Sequence, residues 1–421
     1  MQQREPEPSG RPAEAAAIPP EAQVLGLARL ARIAFAQGDF GALVQALLAR
    51  LAADPGDAAA MMDLATILHS QGDADGAGRL RDQAIALRRS FATVHGDGRG
   101  LRLLAFSIAG GFMANTPVDF LLAGSDAVLW QTYIDAASPA LGPLPPHDAA
   151  ILAIGEAPEH RAALERFGAL AAAYPGRILN GDARRIAALT RDGVSAMLQG
   201  IPGLLCPRTL RLPRAALDGI ARGADLPEAL AWPLLLRPAG SHAGEGLTLL
   251  AGPADLARVL VDTGADTGAE TGAETFFLVP FIDYHRPDGL FGKARVVFVG
   301  GRPHPVHFAL SQSPIVHYLS AGMAESAEKR AAEAAWFADF DTVFARRHAA
   351  ALAEMQARIG LDYWGIDCAE TADGRLLVFE ADTALIVHDM DDPGLFAYKE
   401  APMRRIFAAF QALAASAAAG G

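Results

Sequence analysis

Three carboxylates near the C-terminal end are spaced so that they could act together: Asp367 in Tyr363-Trp364-Gly365-Ile366-Asp367-Cys368, then Glu380 and Asp382 in Leu376-Leu377-Val378-Phe379-Glu380-Ala381-Asp382. Both stretches are rich in aromatic and branched residues and read as strands. They are joined by Thr371-Ala372-Asp373-Gly374, whose Asp-Gly pair signals a tight hairpin turn. Side chains alternate faces along a strand, so Glu380 and Asp382 share a face. A turn pairing Ala372 with Arg375, or Thr371 with Gly374, sets Asp367 opposite Glu380 or Val378, on that same face. Acids clustered among apolar residues repel one another and lose solvation unless cations neutralise them. Hard carboxylate oxygens suit Mg2+, which takes one or two protein carboxylates and keeps positions for water and phosphate. The alternative is a wet hairpin edge with the acids in solvent, and this stretch alone does not choose between the two.

Cations and glycines lie upstream. The segment Leu234-Leu235-Leu236-Arg237-Pro238-Ala239-Gly240-Ser241-His242-Ala243-Gly244-Glu245-Gly246-Leu247-Thr248 reads as two strands flanking a glycine-rich loop. Gly240, Gly244 and Gly246 let backbone N–H groups approach phosphate oxygens, and Arg237 offers a planar fork of donors. No Gly-Lys-Ser or Gly-Lys-Thr follows, so this is not a P-loop, and a hairpin tip explains it equally. Strands are expected at Phe276 to Ile282, Ala294 to Val299 and Arg302 to Ala309, the last two turning at Gly300-Gly301. His304, His307 and His317 lack the spacing of a helical zinc motif. Arg302, His307, Ser311, His317 and Tyr318 are candidates for a polar, partly cationic substrate pocket, with Ser313 beside them. Glu325 to Ile359 reads as an amphipathic helix burying Trp336, Phe337 and Phe340.

The rest of the chain must position these groups. At 421 residues, 51% hydrophobic and 20% charged, it has room for roughly two to four domains. The net charge of -12 argues against a broad nucleic-acid surface. Cys206 and Cys368 are far apart in apolar settings and make neither a disulfide framework nor a zinc site. No signal-peptide core or membrane-length apolar run is evident, so a cytoplasmic protein without a membrane partner is expected. Residues 1–20 read as a flexible lead. From 21 to 97 the pattern is helical, and Leu30-Ala31, Ile33 and Gln37-Gly38-Asp39 recur 34 residues later as Leu64-Ala65, Ile67 and Gln71-Gly72-Asp73. That period resembles a tetratricopeptide repeat. Two repeats fall short of independent stability, so this piece is expected to dock on the rest of the chain or on a protein or peptide partner. Leu101 to Phe106, Ala127 to Thr132, Ala149 to Ile154 and Arg177 to Leu179 read as strands around a helix from Glu159 to Tyr174, a small α/β layer over 100–182. Gly110-Gly111 after its first strand fits a tight turn. Thr263 to Thr275, which repeats Thr-Gly-Ala-Asp/Glu, reads as a solvated loop.

Glycine loop, Arg-bearing strand and acid hairpin, in that order, resemble the ATP-grasp superfamily, which includes glutathione synthetase, D-alanine:D-alanine ligase and peptide glutamate ligases. The resemblance covers about residues 183 to 400. It implies an α/β protein: an α+β ATP-grasp domain at 183–421, a small α/β pre-ATP-grasp domain before it, and an all-α tetratricopeptide-like N-terminal region. It also implies ATP and Mg2+ as cofactors, with Asp367, Glu380 and Asp382 as metal ligands in place of the family's Asp and Glu-x-Asn. Arg295 in Lys293-Ala294-Arg295 matches the family's Asp-x-Arg and would be catalytic, while Lys293 replaces the Asp. Arg237 and Arg191 stand for two nucleotide-binding lysines, Arg237 also contributing to catalysis. Gly240, Ser241, Gly244 and Gly246 would cover the phosphates, and Val279 and Phe281 would flank adenine. The implied activity is carboxylate–amine ligation through an acyl phosphate, on small-molecule or peptide substrates. A phosphotransferase and a non-catalytic adaptor are the alternatives, and a homodimer is a further expectation.

Overall fold

The computed structural model of this chain describes residues 18–241, 246–265 and 275–419. Gly244 and most of the Thr-Gly-Ala repeat lie outside them. The helix Pro253–Ala265 takes in Thr263 to Ala265, which the sequence reading gave to a loop.

The acid hairpin belongs to a five-stranded sheet. Arg302–Ser311, Phe291–Val299, Tyr363–Glu370 and Leu376–Asp382 run antiparallel in that order, and Leu204–Leu205 closes the edge parallel to Leu376–Asp382. One face of the sheet is apolar. Trp364, Ile366, Cys368, Val378 and Ala381 are buried there with Phe298, Phe340 and Met355, and the Trp364 ring stacks on Phe298 with centroids 4.0 Å apart. The expected helix from Glu325 to Ile359 forms as Ala327–Asp339, a π-helical turn Phe340–Phe344 and Ala349–Ile359. That turn presents Phe340 and Phe344 to Trp336, at centroid distances of 5.3 and 5.7 Å.

A six-stranded sheet carries the region expected at 100–182. Val128–Tyr133, Arg102–Ser107, Ala149–Leu152 and Ile178–Leu179 are parallel, as the alternation of apolar runs suggests. It is wider than expected. Ser90–Val94 pairs antiparallel with Val128–Tyr133, and Gln23–Val24 adds outside it, so the boundary at 97 to 100 falls inside this sheet rather than before it. The C-terminal helix Glu400–Ala419 buries Met403, Ile406, Phe407 and Phe410 among residues of both large sheets, and joins them through a shared core.

A four-stranded antiparallel sheet in the order Thr248–Leu250, Leu234–Pro238, Thr275–Pro280 and Leu210–Pro213 has its own small core of Leu234, Leu236, Leu250, Phe276 and Leu278. Four helices lie between Gln23–Val24 and Ser90–Val94: Leu27–Phe35, Gly41–Ala53, Ala58–Ser70 and Ala74–Leu87. Ala77 and Ala84, in the last of them, are fully buried. These helices dock on the rest of the chain. Arg32 pairs with Asp389, the Phe35 ring lies 5.5 Å from His388, and Arg81 Nη1 donates to the Gly110 carbonyl at 2.7 Å.

Candidate functional site

Register builds the site. Arg295 stands opposite His307 on one side and Asp367 on the other, and Asp367 stands opposite Glu380. His307, Arg295, Asp367 and Glu380 therefore form one row across four strands. The acids reach it through an irregularity that the turn alone does not predict. Glu370 pairs with Leu376 and Cys368 with Val378, a register that would set Phe379 opposite Asp367 and turn Glu380 into the core. A bulge between Asp367 and Cys368 absorbs Phe379, and Asp367 meets Glu380 instead. Phe379 then packs on the Tyr284 ring, centroids 5.1 Å apart.

The three carboxylates share a face, as expected, yet they do not converge. Asp367 is 1% exposed. Arg295 forks onto it, Nε to Oδ1 at 2.8 Å and Nη2 to Oδ2 at 3.1 Å, and Lys293 Nζ lies 2.6 Å from Oδ2. Burial opposes the charge of Asp367, but Arg295 and Lys293 outweigh it and hold the carboxyl well below its usual range. Glu380 accepts from Arg191 Nη2 at 2.5 Å. Asp382 is held differently: it accepts from the Ala384 N–H at 2.9 Å, and burial, with Glu380 adding to it, pushes its carboxyl up to about 6. Among the described residues no three His, Cys, Asp or Glu side chains are grouped to hold a metal ion. The expected three-carboxylate Mg2+ site is therefore not assembled, because Asp367 is already neutralised from the neighbouring strand. A resident divalent ion on Asp367 does not fit this donor set.

Two cations link the row to the small sheet. Arg211 pairs with Asp192 at 2.9 Å, next to Arg191 in the helix Arg191–Met197. In the small sheet Phe277 stands opposite both Arg211 and Arg237, and the Arg211 guanidinium lies 4.9 Å from the centroid of the Phe277 ring. Arg237 turns toward its own loop: Nε donates to Ser241 Oγ at 2.8 Å and Nη2 to the Ser241 carbonyl. Gly240 and Gly246 have φ of 83° and 65°, and a Cβ on Gly246 would lie 2.8 Å from the Pro238 ring. Glycine is needed there for both reasons. Val279 stands opposite Leu235, and the Phe281 N–H donates to the Pro233 carbonyl at 3.0 Å.

The expected substrate residues divide. His307 lies in the row, its ring 4.5 Å from that of Tyr318, and burial together with Arg295 holds it well below the usual imidazole range. His317 is lowered too, by burial and then by Lys293 and Arg295. Tyr318 faces a buried network. Its hydroxyl donates to Glu333 Oε2 at 3.1 Å and accepts from Lys399 Nζ at 3.1 Å, while Tyr398 donates to the same Glu333 oxygen at 2.7 Å. Arg302 is misplaced by the sequence reading. It is exposed at the far end of its strand, five residues from His307, about 17 Å at the usual strand rise. Ser311 accepts from the Ser313 N–H at 3.0 Å and shapes the turn that ends the strand.

Sequence reasoning gave no role to four participants. Lys293 was legible, since it lies two residues before Arg295 on a strand and must share its face. Glu333, fully buried and fixed by the Phe308 N–H at 2.8 Å, stands in a helix whose pattern marks no acid as special. Arg211 lies in a strand too short for periodicity. Glu156 follows the strand Ala149–Leu152 at its C-terminal end, where open parallel sheets bind ligands. It makes no hydrogen bond or ion pair among the described residues, and burial, then Asp382, pushes its carboxyl up to about 7. A hollow of about 370 Å³ lined by Arg214, Asp218, Arg222 and Leu260 lies apart from this row and gathers no comparable chemistry.

No known family pattern matches this sequence, and no curated protein does. Solved structures are similar to this chain over about three quarters of its length. A RimK domain ATP-grasp protein from Sphaerobacter thermophilus is 17% identical, spans 74% of this chain and 99% of its own, and gives a TM-score of 0.40. The D-alanine–D-alanine ligase of Bacillus anthracis complexed with ATP is 13% identical over 76% of this chain and 97% of its own, with a TM-score of 0.43. A second structure of that ligase is 12% identical over 76% and 99%, with a TM-score of 0.44.

Proposed function

We propose that this chain binds ATP between the small sheet and the five-stranded sheet and joins a carboxylate to an amine. The observation that carries this reading is the cross-strand row His307, Arg295, Asp367, Glu380, continued by Arg191, Asp192 and Arg211 to the glycine hairpin. Phosphoryl transfer asks a protein chiefly for positioning and for cations at phosphate oxygens. Arg191, Arg211 and Lys293 provide the cations in this reading. Gly240 and Gly246 allow the hairpin backbone to approach the phosphates and exclude water. A carboxylate oxygen of the substrate attacks the γ-phosphorus, the bond to ADP breaks, and the amine then attacks the acyl carbon and expels phosphate. Glu156 has no hydrogen bond or ion pair among the described residues and its carboxyl is pushed up to about 7, so it would take the proton that the amine releases.

Incubation with ATP, Mg2+ and a library of amines and carboxylates, followed by mass spectrometry, is expected to yield an amide with ADP and phosphate. Glu380→Ala, which leaves Arg191 without its acid, is expected to abolish ADP release. A stable phosphorylated product would point to a phosphotransferase instead. One observation favours a second reading, a nucleotide-binding adaptor: Asp367 is locked by Lys293 and Arg295. ATP binding without any turnover would support it.

A further inference from the structure

Asp367 is arranged as though a cation had been built into the chain. Its two oxygens accept two hydrogen bonds from Arg295 and form an ion pair with the Lys293 ammonium 2.6 Å away, both partners lying on the neighbouring strand. A carboxylate has about four lone-pair positions, so little of Asp367 is left for another ligand. The carboxylate is 1% exposed, whereas the Lys293 and Arg295 side chains are 22% and 18% exposed. The acid is thus covered by its cations, which remain partly exposed. Arg295 spends its fork on Asp367, with Nη1 toward the Ile386 carbonyl at 3.4 Å. Lys293 makes this one ion pair among the described residues, and an ammonium has three donors. The formal charge of the three groups is +1.

We propose that the Lys293 ammonium replaces a metal ion on Asp367, and that Lys293, Asp367 and Arg295 form a fixed subsite for an anionic oxygen of phosphate or carboxylate. The identity of the anion rests on the ligase reading; the exclusion of metal from Asp367 does not. Lysine carries its charge on a flexible stem, so it follows the anion without the fixed coordination that Mg2+ demands.

Binding of Mn2+ alone, followed by electron paramagnetic resonance, tests the exclusion without ATP. Wild type and Asp367→Asn are expected to bind Mn2+ equally. Lys293→Ala is expected to bind it about tenfold more tightly, a gain lost again in the double variant. A tenfold weaker Mn2+ affinity in Asp367→Asn than in wild type would overturn the proposal. If Asp367→Asn does not fold by circular dichroism, Lys293→Gln decides, and an unchanged Mn2+ affinity there counts against it. Calorimetry with ATP in EDTA and in Mg2+ tests the anion subsite. Wild type is expected to bind ATP in EDTA, and Lys293→Gln to lose about tenfold of that affinity. ATP binding only with Mg2+, unaffected by Lys293→Gln, overturns the subsite and leaves the ligase reading standing. No ATP binding in either condition removes the ligase reading, while inorganic phosphate binding that depends on Lys293 still upholds the subsite and its absence overturns it.

Discussion

Two hairpins flank the site and hold their charges by opposite means. In the acid hairpin Asp367 and Glu380 are fixed by long-range partners: Asp367 by Lys293 and Arg295 across 72 or more positions of sequence, and Glu380 by Arg191 across 189. In the glycine hairpin Arg237 is held by Ser241, four residues on. Wrong placement in the first strands a buried charge, whereas in the second it alters a local turn. The acid hairpin is thus a rigid element tied into the main core. The glycine hairpin is a local device on a small sheet with its own core.

Unequal stability effects follow. Asp367→Ala leaves Lys293 and Arg295 facing a buried void, and the loss expected for removing one partner of a buried pair is about 3–5 kcal/mol. Urea unfolding measures it, and a loss near zero would mean that the pair is far wetter than its burial implies. The acid side should also respond to pH. The Glu156 and Asp382 carboxyls rise to about 7 and about 6 on folding, above their unfolded values near 4. A raised carboxyl contributes stability that is complete below the unfolded value and is lost as pH rises through the folded one. Stability should therefore fall between about pH 4 and pH 7, by at most about 1.4 kcal/mol per pH unit per group. Denaturant midpoints across that range should show Glu156→Gln with the shallower decline.

The glycine side should lose binding before stability. Gly246→Ala forces a Cβ against Pro238 at positive φ and is expected to cost about 1–2 kcal/mol. Its ATP affinity, measured by calorimetry, should drop while the main unfolding transition stays cooperative. If it unfolds the chain as severely as Asp367→Ala, the contrast between the hairpins fails. Ser241→Ala should have the smallest effect, about 0.5–1.5 kcal/mol for one hydrogen bond. A thermal melt of that variant within a few degrees of wild type checks it.

Local chemistry made much of this molecule legible. Alternation in Tyr363–Glu370 and Leu376–Asp382, with an Asp-Gly turn between them, specified a hairpin with acids on one face. Apolar runs marked the parallel strands of the six-stranded sheet. Glycines at Gly240 and Gly246 announced positive φ. These are effects of a residue and its near neighbours, so a single sequence contains them.

Tertiary structure alone decided who neutralises whom. The order of strands placed Phe291–Val299 beside Tyr363–Glu370, and so gave Asp367 to Lys293 and Arg295 rather than leaving it open to a metal. The bulge at Phe379 decided which face received Glu380. Arg302 was drawn to the wrong end of its strand because spacing in sequence carries no account of direction along a sheet. Glu156 and Glu333 acquired their environments from elements far away in the chain. Electrostatic partnership depends on distances through space, while a sequence pattern records only distances along the chain.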